Sequence, residues 1–408
     1  MCLLALYHSM KKALLLSFFF AYILSNAQLD REHWFGPMVD RVNTNSDNQT
    51  IYMSTGETTP FNVDVYFNNA VIASYTLSKN NPQKHTISTA DRNQIILTPP
   101  DYVDVTGLYQ PVTMGLYLKG EKPFFASLRF SIYNHGEIQT SKGTAALGNE
   151  FRVVMAPIVN GGGHLNFMNS VMATENNTKV TISGFRPDVV FMDEIPRTQF
   201  TFELNKGESY LVEGIASSYE NHTGYIGAKI VSDKPVVVTN GNFNGQYTLD
   251  IGSSDILMDQ AVPINKLGKT FVLIKGNGNN SFNYFGDLVT MEKAIIVAVK
   301  NNTKIYLNGD TTPIATLNEG EFSPILSTNI PLYEKLRPLT LKEVVGQTHL
   351  LKKSGFLQVL ITKKELISLI FWGPSGVGKT TIAKLLAQGC GYEFISVSAM
   401  FTSISEIK

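Results

Sequence analysis

The residues in this chain with the clearest chemical capacity are Gly373-Pro374-Ser375-Gly376-Val377-Gly378-Lys379-Thr380, which fit the phosphate-binding pattern G-x-x-x-x-G-K-[ST]. The spacing explains the chemistry. Backbone N–H groups of Gly376, Val377 and Gly378, backed by a helix N-terminus, cradle phosphate oxygens. Lys379 then reaches the β- and γ-phosphates, and the Thr380 hydroxyl ligates Mg²⁺. Thr381 falls in the first helical turn beside them. ATP and Mg²⁺ are therefore the expected cofactors, provided that this part of the chain folds.

Such a loop works only between two elements that fix it. Leu366 to Trp372 form a near-continuous apolar run, predicting a strand buried on both faces of a parallel sheet. After the loop, Ile382, Leu385 and Leu386 fall on one face of a helix over 380–388, which Gly391 closes. Phe394 to Val397 read as the next strand. No apolar run ending in Asp-Glu follows Lys379, and neither a sensor Asn nor an arginine finger is present. Mg²⁺ would lack its Asp partner and the water its base, so nucleotide binding is expected without hydrolysis. Two parallel strands alone would also leave apolar edges unpaired.

Upstream lies Pro331-Leu-Tyr-Glu-Lys-Leu-Arg337-Pro338, then Val344-Val345-Gly346-Gln347. With Phe371-Trp372-Gly373-Pro374 and the loop, these segments make residues 331–408 resemble the start of the replication-associated recombination protein A family, AAA+ ATPases related to clamp loaders. The resemblance implies that Arg337, Pro338, Val344, Val345 and Gly346 help to enclose the adenine. It also implies a truncated α/β P-loop NTPase fragment and, if the chain acts as that family does, an intracellular ATP-dependent role on DNA.

The other end of the chain points to a different compartment. Lys11 and Lys12, the apolar Ala13–Leu24 and Ser25-Asn26-Ala27 have the order of a cleaved signal peptide over 1–27, with Met10 as the expected start. The apolar run is about 12 residues, against roughly 20 needed to span a bilayer, so no stable membrane anchor is expected. Cys2 would leave with the signal, and Cys390 alone cannot make a disulfide framework. Net charge is zero, yet residues 331–408 hold ten Lys/Arg against five acids, so the preceding part is acidic.

From Asp30 to about Leu326, short runs rich in Val, Ile, Thr, Tyr and Phe alternate with Gly, Asn, Asp and Pro, the pattern of antiparallel strands and turns. Phe151–Met155, Lys179–Ile182 and Ala294–Val299 are examples. The pattern repeats. Gly115-Leu-Tyr-Leu-Lys-Gly-Glu-Lys122-Pro123 recurs as Gly227-Ala-Lys-Ile-Val-Ser-Asp-Lys234-Pro235. Asn176-Asn177-Thr178-Lys179-Val180 recurs as Asn301-Asn302-Thr303-Lys304-Ile305, and Leu204-Asn205-Lys206-Gly207-Glu208 as Leu317-Asn318-Glu319-Gly320-Glu321. Units of about 115 residues thus begin near Trp34, Phe151 and Phe271. Lys-Pro and Asn-Asn-Thr are read as turn chemistry. The third unit lacks a Gly…Lys-Pro strand: near position 347 stands Val344-Val345-Gly346-Gln347, so the repeat is expected to stop near Ser327.

With Asp259-Gln260-Ala261-Val262-Pro263 before Leu267-Gly268-Lys269-Thr270-Phe271, these patterns make residues 30–326 resemble the IgGFc-binding protein N-terminal domain family, in its bacterial exported form. The resemblance implies a non-catalytic surface binding or adhesion module with an unknown protein or glycan ligand. Other chemistry in this region is sparse. Asp250, Asp255 and Asp259 lack Ca²⁺-loop spacing, and His164 has no second ligand nearby in sequence. Asn176, Asn221 and Asn301 each begin an Asn-x-Thr glycosylation pattern. The expected architecture is mainly β: repeated antiparallel units over 28–326, sandwich-like or propeller-like, followed by the P-loop fragment over 331–408. A composite chain follows, exported at one end and nucleotide-binding at the other.

Overall fold

A computed structural model describes residues 28–40, 48–101, 103–132, 135–158, 165–215, 218–245, 255–272, 293–326, 338, 340–344, 348–351, 355–369, 371 and 379–392. The chain forms two compact units, residues 1–327 and 328–408. The expected signal peptide lies outside the described residues.

The first unit is β-structure in three successive repeats, antiparallel except where Met38–Val39 pairs Ile96–Leu97. The first repeat contains β1 (Asp30–Phe35), β2 (Met38–Val39), β3 (Gln49–Ser54), β4 (Phe61–Phe67), β5 (Ala70–Leu77), β6 (Gln83–Ile87), β7 (Ile96–Leu97), β8 (Pro111–Val112), β9 (Leu116–Ile132) and β10 (His135–Thr140). The second contains β11 (Gly148–Arg152), β12 (Asn166–Ala173), β13 (Thr178–Ser183), β14 (Gln199–Leu204), β15 (Ser209–Ile215), β16 (Lys229–Gly245) and β17 (Asp255–Gln260). The third has β18 (Lys293–Val297), β19 (Thr303–Ile305), β20 (Ala315–Leu317) and β21 (Phe322–Leu326).

One long strand organises each of the first two repeats. β9 pairs β1 and β4 along its first half and β3 and β10 along its second. β16 pairs β11 and β13, then β12 and β17, in the same way. The register also repeats: Val63 faces Gly120 as Val180 faces Ser232, and Trp34 faces Tyr117 as Arg152 faces Lys229. In the third repeat, Val297 faces Phe322 as Met172 faces Ser209, and Thr303 faces Leu317 as Thr178 faces Leu204. The internal homology seen in the sequence is thus a homology of strand pairing.

Lys122-Pro123 and Lys234-Pro235 are not turns, contrary to their sequence reading. Both lie inside continuous strands, where the register of β1 against β9 shifts between Asp30 and Glu32, and that of β11 against β16 between Gly148 and Glu150. A bulge tolerates a residue without an N–H donor, and it bends the strand from one set of partners to the other. Asn-Asn-Thr does make turns. Asn177 and Asn302 have φ of 52° and 59°, and the Asn176 and Asn301 side chains accept from the N–H of Lys206 and Glu319, each at 3.0 Å.

The repeats pack against one another through shared apolar cores. Every residue of β12 is buried: Phe167 and Val171 face the core of their own repeat, while Met168 joins the core of the first. Likewise Ile295, Val297 and Phe322 of the third repeat pack on the core of the second. In that second core Phe151, Phe167, Phe191 and Tyr225 are fully enclosed, each contributing about 1.5–3 kcal/mol by burial.

Among its described residues, the second unit contains the α-helices α1 (Thr348–Leu351), α2 (Phe356–Lys363) and α3 (Lys379–Cys390). Ile382, Leu385 and Leu386 are buried, as their spacing predicts, and Gly391 ends α3 with φ of 82°. Leu366–Leu369, read as a buried strand, do not form one. A parallel strand needs partners to bond its backbone, and among the described residues of this unit there are none. Leu366, Leu369 and Phe371 instead pack against the helical core of Leu357, Leu360, Ile382 and Leu386. The expected strand at Phe394–Val397 lies outside the described residues.

Candidate functional site

Of the predicted nucleotide site, Lys379 is the first residue of α3, followed by Thr380 and Thr381. Val344 packs against the core that α3 forms with α2, so one adenine-enclosing candidate touches the helix behind the loop. Pro338 is described and half-buried. Gly373, Pro374, Ser375, Gly376, Val377, Gly378, Arg337, Val345 and Gly346 lie outside the described residues. The described part therefore contains a twelve-residue helix beginning at the lysine, whose N-terminal N–H groups suit an anion.

In the β unit, the junction between the first and second repeats forms a cleft of about 140 Å³ lined by Trp34, Tyr66, Tyr117, Lys119, Met172 and Lys206 among others. β1, β4 and β9 place three aromatic rings side by side: Trp34 stacks on Tyr117 at 5.2 Å, and Tyr66 lies 5.2 Å from Tyr117 on a neighbouring strand. The hairpin after β14 brings Lys206 Nζ to 5.7 Å from the Tyr117 ring, a cation–π approach. Asn69 Nδ2 donates to the Lys206 carbonyl at 2.7 Å, fixing that hairpin against the first repeat. Lys119 pairs with Glu32 at 3.6 Å. Burial raises the Tyr117 hydroxyl's pKa well above its ordinary value, and its hydrogen bond with Glu32 raises it further. The phenol is thus a neutral donor throughout the physiological range.

The same place between the second and third repeats is built from other chemistry. Register equates Trp34 with Arg152, Tyr117 with Lys229 and Tyr66 with Ser183, while the repeated hairpin equates Lys206 with Glu319. There Arg152 bonds Glu319, Arg152 Nη1 donates to the Gly227 carbonyl at 3.0 Å, and Lys229 bridges Glu150 at 2.7 Å and Glu319 at 3.3 Å. Ion pairs close the second junction, whereas aromatic faces and a lysine line the first. The sequence reading did not single out Trp34, Tyr66, Tyr117 or Lys206 as site residues. The signal lay in the aligned repeats themselves, where Tyr117 stands against Lys229 and Lys206 against Glu319.

Two weaker candidates are described only in part. Asp259 is bonded by Lys142 at 2.7 Å, Asp255 lies on the same strand β17, and Asp250 and His164 are outside the described residues. Among the described residues no group of three or more His, Cys, Asp and Glu could hold a metal. Nor is any described helix long and apolar enough to cross a membrane.

Comparison with known proteins gives two family matches. The family IgGFc binding protein matches residues 141–345, half of the chain and the whole of the second and third repeats. The chain belongs to the IgGFc binding protein family. Its first repeat precedes the matched span and shares the pairing scheme of the second. The ATPase family associated with various cellular activities (AAA) matches residues 369–405, so the chain combines an IgGFc-binding segment with an AAA segment. Replication-associated recombination protein A of Coxiella burnetii is 45% identical over 86 residues, 21% of this chain and 20% of its own length. The protein of the same name from Haemophilus influenzae is 41% identical over 78 residues, 19% and 18% of the two chains. That from Escherichia coli K12 is 37% identical over 78 residues, covering 19% of this chain and 17% of its own. The chain spans about a fifth of the length of these curated relatives. No solved structure matches.

Proposed function

We propose that the chain is an exported surface-binding protein whose β-repeats carry the ligand contact, joined to a nucleotide-binding segment. The observation that carries the binding role is the difference between two equivalent junctions. The scaffold holds its repeats together with ion pairs at Arg152, Lys229 and Glu319, so the cluster of Trp34, Tyr66, Tyr117 and Lys206 exceeds what stacking requires. Aromatic faces beside amide, ammonium and phenol donors suit a protein side chain or a sugar ring. The AAA match and the loop over 373–380 support ATP and Mg²⁺ at Lys379 and Thr380.

Glycan and protein arrays probed with the whole chain test the first part. A ligand lost in Tyr66→Ala and Lys206→Ala but kept in Glu319→Gln supports the cleft; equal loss in all three, or none, refutes it. Fractionation of cells carrying a C-terminally tagged chain tests export, which fails if the tagged chain is cytosolic and uncleaved after Ala27. That failure would favour a second reading, drawn from the recombination-protein relatives: an intracellular ATPase segment acting on DNA.

A further inference from the structure

The third repeat keeps the strands that should flank a long central strand, yet shows no such strand among the described residues. In the second repeat β11, β12 and β13 all bond β16. Their counterparts in the third are the segment Gly268–Val272, β18 and β19. β18 bonds β21 and β19 bonds β20, and neither has a described partner along its other edge. The segment that corresponds to β11 carries no strand pairing. Its apolar residues are correspondingly bare: Phe271 is 66% exposed and Val272 83%, where Phe151 is fully enclosed.

We propose that this open edge accepts, in trans, a long strand of the β9/β16 type from another repeat-bearing polypeptide. The occupant's chemistry follows from what β16 does one repeat earlier. It is an extended segment with Lys-Pro near its middle, in which alternate apolar residues face the core on either side of a bulge. Its backbone bonds the edges of β18 and β19 that have no partner among the described residues. Its lysine meets the Asn301 carbonyl, since Lys234 Nζ donates to the equivalent Asn176 carbonyl at 2.5 Å. The acceptor surface is also continuous with an established interface. Ile295, Val297 and Phe322 already pack on the second repeat, which fixes the β18–β21 pair for the incoming strand. One incoming strand would supply the three pairings that β16 makes with β11, β12 and β13 one repeat earlier.

The test uses a synthetic peptide copying residues 227–245, added to the whole chain in a Cys2→Ser, Cys390→Ala background. Register fixes where it must sit. Val171 faces Val238 in the second repeat, and Ile296 is the counterpart of Val171. A peptide carrying Val238→Cys should therefore form a disulfide with an Ile296→Cys chain at least tenfold faster than a peptide carrying Val236→Cys. Fluorescence anisotropy with the unsubstituted chain, free of any folding defect at Ile296, should give saturable binding that a Val238→Pro peptide loses. No saturable binding, or disulfide formation indifferent to register, overturns the proposal.

Discussion

His33 occupies the position in the first repeat that Phe151 holds in the second, facing Leu118 as Phe151 faces Ile230. It is fully enclosed, with Nε2 2.8 Å from the Phe124 carbonyl. Burial lowers its pKa, only partly opposed by the hydrogen bonds to the Phe124 and Asp30 carbonyls. His85, held by Tyr75, is lowered by burial as well. The unfolded chain binds these protons near pH 6.5 while the folded chain resists them. Stability is therefore complete above that pH and is lost as pH falls below it toward the depressed folded values. Urea unfolding should show a lower midpoint at pH 5 than at pH 7.5, and His33→Gln, neutral at both, should shrink the difference. Tyr225 offers the opposite case: its hydroxyl is buried with no hydrogen-bond partner among the described residues. Tyr225→Phe removes a desolvated polar atom, so it should leave stability unchanged or raise it by about 1 kcal/mol, read by the same unfolding curves.

Among the elements, the glycine turns that lead into each long strand show what the repeat requires. Gly227 has φ of 87°, and a Cβ there would stand 1.9 Å from the Gly320 carbonyl oxygen of the third repeat. Gly309 has φ of 83° but open space around it. Gly309→Ala should thus cost about 1 kcal/mol from backbone conformation alone. Gly227→Ala must also displace the backbone of the adjoining repeat, so its loss in thermal or urea unfolding should be clearly larger. Sequence revealed such elements where the determining contacts are local. The Asn-Asn-Thr turns and the apolar face of α3 are set by residues within a few positions, and both were legible. Lys-Pro was misread because the bulge around it exists only against β1 and β11, distant in sequence. Leu366–Leu369 were misread because apolar content describes burial, while a strand depends on a partner for its backbone. The cleft was legible only in part: the aligned repeats set Tyr117 against Lys229 and Lys206 against Glu319, but equating Trp34 with Arg152 requires the register of β1 and β11, which the sequence offsets did not supply.

For the whole molecule, the chain holds two tryptophans, and they report on different units. Trp34 lies in β1 at the aromatic cleft, and Trp372 immediately precedes the glycine loop in sequence. A Trp34→Phe chain therefore leaves fluorescence to the second unit, and a Trp372→Phe chain leaves it to the β-repeats. A ligand that binds only the folded state raises that state's stability by RT ln(1 + [L]/Kd), about 2.7 kcal/mol at a hundredfold excess over Kd. Mg-ATP should consequently shift the unfolding midpoint followed in Trp34→Phe, and adding Lys379→Ala should abolish the shift by removing the ammonium that would reach the β- and γ-phosphates. The midpoint followed in Trp372→Phe should move with a ligand of the cleft instead, and the further change Lys206→Ala should abolish that response. A chain in which Mg-ATP moves neither midpoint has no working phosphate loop, whatever its sequence. One in which Mg-ATP moves both couples the nucleotide to the β-repeats, and the two functions would then have to be read as one.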